Sequence, residues 1–305
     1  MSGSAGTQAY LDQAPAVAAR FAKLKSREVA MRVDRLGKTF RLPTGDTTIA
    51  LRDIDILTHR REFLCVVGPS GCGKSTFVRI LAGLDTATSG AVLVEDKPVL
   101  GPCSDLGMVF QGYTLFPWLS VIKNVMFGLQ ERGESKRTAE REAREWLSLI
   151  GLEKFADAYP HQLSGGMKQR VAIARALATR PRILLMDEPF SALDAQSRAR
   201  MQAYLIEIWR KIDITIVFIT HDLDEAVLLA DRILVLSAHP GEVAELIEVP
   251  VPRPRSLTQM IEPEFRATRA RLDELIHPPV EEVAEGEEVK PNLVMRLAAS
   301  GDDVE

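Results

Sequence analysis

The chain is short of cysteine, of long apolar runs and of surplus positive charge, and each shortage removes a class of protein. Its 305 residues include three cysteines, Cys65, Cys72 and Cys103, with no CxxC pair and no metal-ligand spacing. A disulfide framework and a cysteine-built zinc site are thereby set aside, and the usage fits a reducing compartment. The longest apolar runs, such as 183–186 and 216–219, are strand-sized, far below the ~20 residues that span a bilayer. The opening stretch SGSAGTQAYLDQAPAVAAR has no apolar segment of the secretory type. Any membrane role is therefore expected to pass through a partner. The net charge of −4 and a pI of about 5.9 come without the basic stripe of a nucleic-acid binder, so no nucleic-acid partner is expected. Eight acidic residues fall between positions 281 and 305 against Lys290 and Arg296, which leaves the body before them at net +2.

What is present is an ordinary globular composition, 46% hydrophobic and 26% charged, enough for a sizeable core. The length fits one main domain with appended segments. Residues 1–28 read as a flexible N-terminal extension, with regular structure beginning near Val29. The run LCVVG, 64–68, is apolar and closed by glycine, which predicts a buried strand. A helical pattern follows GPSGCGKST and sets Phe77, Ile80, Leu81 and Leu84 on one face. Residues 112–162 lose strand alternation, carry a charged helix-prone stretch, and read with 171–178 as a helical insertion. ILLMDE and TIVFITHD are buried strands that end in polar residues. This alternation of strands and helices predicts an α/β fold with a mostly parallel sheet, whose ligands sit beyond the carboxyl ends of the strands. Past Pro240 the chain is punctuated by proline; 262–276 is charged and helix-like, and 281–305 is acidic, with the composition of a disordered tail.

The residues that carry chemistry are concentrated at the ends of those strands. Gly68, Gly73, Lys74 and Ser75 match G-x-x-x-x-G-K-[ST] in the strand–turn–helix context that a phosphate loop requires. Along Gly68, Pro69, Ser70, Gly71, Cys72, Gly73, Lys74, Ser75 and Thr76, every residue but Pro69 has a backbone N–H that can converge on phosphate oxygens. Lys74 adds positive charge near the β- and γ-phosphates, and Ser75 offers a hydroxyl to Mg²⁺. Asp187 ends an apolar strand and Glu188 follows it. Two carboxylates leaving a buried strand are costly without a partner. A metal ion and a water supply one, with Asp187 holding Mg²⁺ through its hydration shell and Glu188 as general base. A helix cap and a solvated acid is the plainer reading, which the phosphate loop upstream weighs against. Cys72 reads two ways, as a thiol made reactive by a helix N-terminus or as a small filler, and both stay open.

In that order along the chain, the motifs resemble those of the ATPase subunit of ABC transporters, across about residues 29–251. GPSGCGKST resembles the Walker A loop, Gln111 in MVFQ the Q-loop glutamine, LSGGM (163–167) the family signature, LLMDEP the Walker B strand, SALD (191–194) the D-loop, and His221 in ITHD the switch histidine. The resemblance implies a P-loop NTPase core with the helical subdomain, about 112–178, inserted in it and an antiparallel β portion near the N-terminus. It also implies ATP with Mg²⁺ as cofactors. Lys74, Gln111, Glu188 and His221 would be catalytic, Gln111 would join Ser75 and Asp187 at the metal, and Phe40 would stack on adenine. Ser164, Gly165 and Gly166 would begin a helix that binds the nucleotide of a second subunit. The pair, a homodimer or two different ATPase subunits, would then share two ATP molecules head to tail.

Within the family, the FPW stretch, DEPFSALD and the run from HPGEVAELIEV to VPRPR resemble the importer subgroup for nitrate, sulfonates and taurine. That implies permease subunits in a bacterial inner membrane, an extracytoplasmic binding protein, and a place for this chain on the cytoplasmic face. The aromatic turn Phe116, Pro117 and Trp118 would receive a helix of the permease, where helical-subdomain core is the bland alternative. A C-terminal extension, 252–280, and the acidic tail lie beyond a minimal cassette. A non-transport ABC ATPase and a nucleotide-sensing regulator remain as alternatives; the second sits poorly with having both Glu188 and His221.

Overall fold

The computed structural model describes residues 13–278. The central sheet is built from strands too apolar to have a wet face. β3 (Phe63–Val67), β7 (Ile183–Asp187), β8 (Thr215–Ile219) and β9 (Arg232–Leu236) are buried along their length apart from the half-exposed Asp187. With β6 (Leu106–Val109) and β10 (Val243–Glu248) they form a six-stranded sheet in the order β10-β9-β3-β8-β7-β6. All its neighbours pair in parallel except β10, which closes the edge antiparallel to β9. The register aligns Asp187 with Ile219 and Met186 with both Val109 and Phe218, so the chemistry-bearing strand ends lie level.

A second sheet, β2-β1-β4-β5, is antiparallel: β1 (Val29–Arg41), β2 (Thr47–His59), β4 (Ser89–Val94) and β5 (Lys97–Pro98). Val33, Leu36, Ile54 and Ile56 from this sheet enclose α2 (Lys74–Leu81) against the central sheet through Phe77, Val78 and Leu81. The helix stops at Leu81, so Leu84 lies beyond it and is exposed, and the single helical face expected to include Leu84 is one turn shorter. The other face of the central sheet carries α6 (Ala195–Lys211), α7 (Leu223–Leu229) and α8 (Pro263–Ile276), with Leu205, Val227, Phe265 and Leu272 in one cluster. A separate apolar cluster joins α3 (Val121–Glu131), α4 (Lys136–Leu149) and α5 (Gly165–Ala178) through Val125, Leu129, Ala143, Leu147 and Val171. Helix α5 serves both bodies, since its Ile173 and Leu177 face the sheet while Val171 and Ala174 face the helices.

The flexible reading of residues 1–28 is corrected from Pro15 onward. Helix α1 (Pro15–Lys25) buries Val17, Phe21 and Leu24, which recur at helical spacing on one face. Arg20 donates to the carbonyls of Val249 at 2.6 Å and Val251 at 2.9 Å, and Lys25 pairs with Glu248 at 2.6 Å. The C-terminal extension is tied down as well: Arg255 is buried and donates to Val227 O at 2.8 Å and to Val251 O at 3.1 Å. The acidic stretch 281–305 lies outside the described residues.

Candidate active site

The phosphate loop starts where β3 ends. Gly71 and Gly73 adopt positive φ, 80° and 95°, a conformation that costs glycine least and turns successive N–H groups toward one centre. At Gly73 a Cβ would also lie 2.9 Å from Ala50 O and 2.7 Å from Leu51 Cδ2, so β2 flanks the loop closely. Lys74 is buried and folds back over the loop, donating to Gly68 O at 2.7 Å and Pro69 O at 2.9 Å. Its Nζ also lies 3.8 Å from Cys72 Sγ, and its nearest partners are these uncharged groups. A polyphosphate fits that loop: it supplies the counter-charge and accepts from the converging N–H groups. Of the two readings of Cys72, the packing favours the filler. Its side chain is fully buried, and burial raises the thiol pKa against the opposing pull of Lys74. A Cβ at Gly68 would lie 2.7 Å from its sulfur, which fills the space beneath the loop.

Ser75 and Asp187 face each other across the start of α2, with Ser75 Oγ donating to Asp187 Oδ1 at 3.5 Å. Burial raises the Asp187 pKa and the neighbouring Glu188 raises it further, while Ser75, Arg79 and Lys74 offset part of the rise. A carboxylate held at this cost beside a hydroxyl is a hard-oxygen pair that fits Mg²⁺, whose charge would reverse the penalty.

Gln111, Glu188 and His221 each stand one or two residues past the end of β6, β7 and β8, three adjacent strands. Their side chains meet. His221 Nδ1 lies 3.1 Å from Glu188 Oε2, and Gln111 Nε2 donates to the same oxygen at 3.4 Å. Glu188 takes a positive φ of 43°, an unfavourable conformation for a residue with a Cβ. It is held there by its N–H on Ile219 O at 3.0 Å and by its carbonyl, which accepts from Ser191 Oγ at 2.9 Å. A carboxylate oriented by an imidazole and an amide, next to a cation site and a phosphate loop, has the arrangement needed to take a proton from water.

Ser164, Gly165 and Gly166 lie elsewhere. Ser164 caps α5, its Oγ accepting from Met167 N at 3.4 Å. A Cβ on Gly166 would meet nothing within 4 Å, so this helix end opens onto free space. Among the described residues no hydrogen bond joins the three to the phosphate loop of the same chain. Phe40 sits on β1, half-exposed, with Lys38 Nζ 4.9 Å from its ring centre. Phe40 pairs with Thr48 across β1 and β2, and the same Lys38 Nζ donates to Asp85 Oδ1 at 2.7 Å.

Two residues of this site were not singled out from the sequence. Ser191 was named only as the start of SALD, yet it also accepts from Gln111 Nε2 at 3.3 Å. Tyr113 carried no signal, because its importance lies in a contact with Gly165, more than fifty positions away. Trp118, whose bland alternative was helical-subdomain core, is instead 71% exposed and packs at a 39° tilt against Phe116, 5.5 Å between ring centres.

Comparison with known proteins agrees with this geometry. Residues 51–191 match the family described as ABC transporter. The nitrate import ATP-binding protein NrtD of Synechocystis sp. is 50% identical over 72% of this chain and 85% of its own length. The bicarbonate transport ATP-binding protein CmpC of Synechococcus elongatus is 45% identical over 79% of this chain but 37% of its own length. An ATP-binding cassette solved as a dimer in a post-hydrolysis state, bound to ADP and Pi, matches with a TM-score of 0.63 and 32% identity, over 72% of this chain and 98% of that one. A phosphate loop, a braced carboxylate beyond the next strands and relatives of this closeness lead to one conclusion: the chain belongs to the ABC transporter family and is its ATP-binding, ATP-hydrolysing subunit.

Proposed function

We propose that the chain powers import of a small oxyanion as one of two ATPase subunits that share their nucleotides head to tail. The observation that carries this reading is the separation of two anion-binding ends in one chain. Lys74 and its loop stand beside Asp187, Glu188, Gln111 and His221, while at the N-terminus of α5 Ser164 is exposed and a Cβ on Gly166 would meet nothing within 4 Å. A second subunit turned by a two-fold axis would bring each open end to the other's phosphates.

In this scheme the phosphate loop and Lys74 bind ATP, and Phe40 stacks on its adenine. Ser75, Asp187 and Gln111 would hold Mg²⁺, which when bound neutralises phosphate charge. Glu188 takes the proton of the attacking water, and His221 orients Glu188 and contacts the γ-phosphate. Phe116 and Trp118, with Phe127 4.6 Å from Phe116, form an exposed aromatic ledge suited to a helix of a permease. No helix among the described residues is long and apolar enough to cross a membrane, which fits a peripheral place on the cytoplasmic face. Nitrate and bicarbonate, named for the two relatives, share a planar oxyanion shape, which supports this substrate class. An extracytoplasmic binding protein would deliver the anion, which this chain never touches.

The test is Glu188→Gln. The amide keeps the shape and the partners but takes no proton, so ATP binding should persist while turnover falls about 10²–10⁴-fold. ATP that cannot be consumed should then hold the chain as a dimer, since ligand bound only by the dimer favours it. Sedimentation with and without ATP, beside a phosphate-release assay, reads both. Turnover within a few-fold of the parent, or a monomer at saturating ATP, would reject the scheme.

A further inference from the structure

We infer that Tyr113 is a positioning residue that fixes the signature end of α5 relative to Glu188, so that each chain's own site sets how its helix end meets the partner's nucleotide. The inference rests on the head-to-tail reading proposed above.

The geometry begins at Gly165. A Cβ built there would lie 3.0 Å from Tyr113 Oη and 3.2 Å from Leu193 Cδ2. The first residue of α5 is thus wedged between two side chains from two different loops, and glycine is what leaves room for both. Each loop carries a residue hydrogen-bonded to Glu188. Tyr113 is two residues from Gln111, whose amide donates to Glu188 Oε2 and to Ser191 Oγ. Leu193 is two residues from Ser191, which donates to the Glu188 carbonyl. Two short spans of chain, one from the Glu188 carboxylate and one from its backbone carbonyl, therefore lead to one glycine at the start of α5.

The Tyr113 span is stiff. Tyr113 and Thr114 both take positive φ, 57° and 46°, a pair of conformations that persists only where the surroundings over-determine it. Arg175, also on α5, supplies the constraint. It donates to Thr114 O at 2.8 Å and Thr114 Oγ1 at 3.1 Å, and its guanidinium lies 5.2 Å from the Phe116 ring centre. Asn124 then holds Phe116 by both its N–H, at 2.9 Å, and its carbonyl, at 3.2 Å. The turn is thus braced against α5 at two points, Tyr113 at the helix start and Arg175 near its last turn. A displacement of Gln111, when metal or phosphate competes with Glu188 for its amide, cannot be absorbed within the turn. It is passed to Gly165, because packed contacts of this kind have discrete arrangements and are not continuously deformable.

The experiment uses the full chain and three variants, Tyr113→Phe, Gly165→Ala and the double. Gly165→Ala puts a methyl against the Tyr113 hydroxyl and should lower kcat about ten- to a hundredfold, the scale of a misplacement of about 1 Å, with nucleotide affinity of the single chain unchanged. Tyr113→Phe, which removes only the hydroxyl, should retain most of the turnover. In the double variant the methyl has room, so kcat should recover at least several-fold over Gly165→Ala, a coupling that independent sites do not show. Tyr113→Ala should in addition lower the Hill coefficient of ATP turnover toward 1 while leaving the affinity of the single chain within about twofold, as the phosphate loop is untouched. Additive effects in the double variant, or an unchanged Hill coefficient in Tyr113→Ala, would overturn the role of Tyr113. Should Tyr113→Ala fail to fold, the cycle with Tyr113→Phe still decides. If Glu188→Gln forms ATP-dependent dimers, such a negative result falls on Tyr113 alone; if it does not, the shared-site reading fails and this inference with it.

Discussion

At the scale of single residues, the site is arranged around charge that protein groups alone offset only in part. The Asp187 carboxyl is held above the usual carboxylate range, by burial first and by Glu188 second. The sign of the consequence follows from linkage. A carboxyl whose folded pKa exceeds its unfolded one destabilises the folded state wherever it is ionised. That cost is full above the folded pKa and fades as pH falls through it toward the unfolded value. Asp187→Asn should therefore raise the thermal midpoint of the nucleotide-free chain at neutral pH, with the gain shrinking as the buffer is acidified, while magnesium-dependent ATP turnover is lost. Thermal melts across a pH series check this, and a lower midpoint at neutral pH would show that Asp187 is stabilising as it stands. The identity of such residues was legible in the sequence, since Lys74, Ser75, Asp187 and Glu188 lie in two contiguous motifs. Their mutual bracing was not: Ser191 on Gln111 and Tyr113 on Gly165 are contacts across 80 and 52 positions, and the burial that pushes the Cys72 thiol pKa up comes from packing that no local pattern encodes.

At the scale of elements, α1 shows where the reading of pattern stopped short. Val17, Phe21 and Leu24 are spaced for one helical face, but eleven residues are marginal for a helix alone. What makes it a helix is a docking site formed more than 220 positions later, at the carbonyls of Val249 and Val251. The strands at 183–187 and 215–219 were the reverse case, because a run apolar on both faces is explained locally. Phe21 is 2% exposed, so Phe21→Ala should cost about 3 kcal/mol of stability without changing turnover per folded molecule. Chemical denaturation with ATPase assays checks both. A midpoint equal to that of the parent would mean that α1 leaves its seat in solution. The neighbouring Glu62–Arg232 pair is stapled more deeply, with Nε 2.6 Å from Oε1 and both side chains nearly sealed. Removing either partner alone leaves a buried charge, a change that typically costs about 3–5 kcal/mol.

At the scale of the whole molecule, the sheet and the helical body meet through α5, and the aromatic ledge of Phe116, Trp118 and Phe127 lies on the helical side. Trp118 contributes little to folding at 71% exposure. Trp118→Ala should weaken binding of the chain to its permease by about 2 kcal/mol, the scale of an aromatic anchor, and leave its isolated ATPase rate unchanged. Copurification and surface binding with a membrane-reconstituted permease measure the first, and equal affinities would move the docking face elsewhere. The level register of β6, β7 and β8 has one more consequence, for how such a chain can drift over generations. Side chains alternate faces along a strand, so losing one codon within 183–187 turns Met186 and Asp187 over and draws Glu188 back from Gln111 and His221. The turn at 132–135 between α3 and α4 has no such tally to keep. Lineages of this chain can therefore lengthen and shorten freely in one place, while in another the count of residues is inherited as strictly as their chemistry.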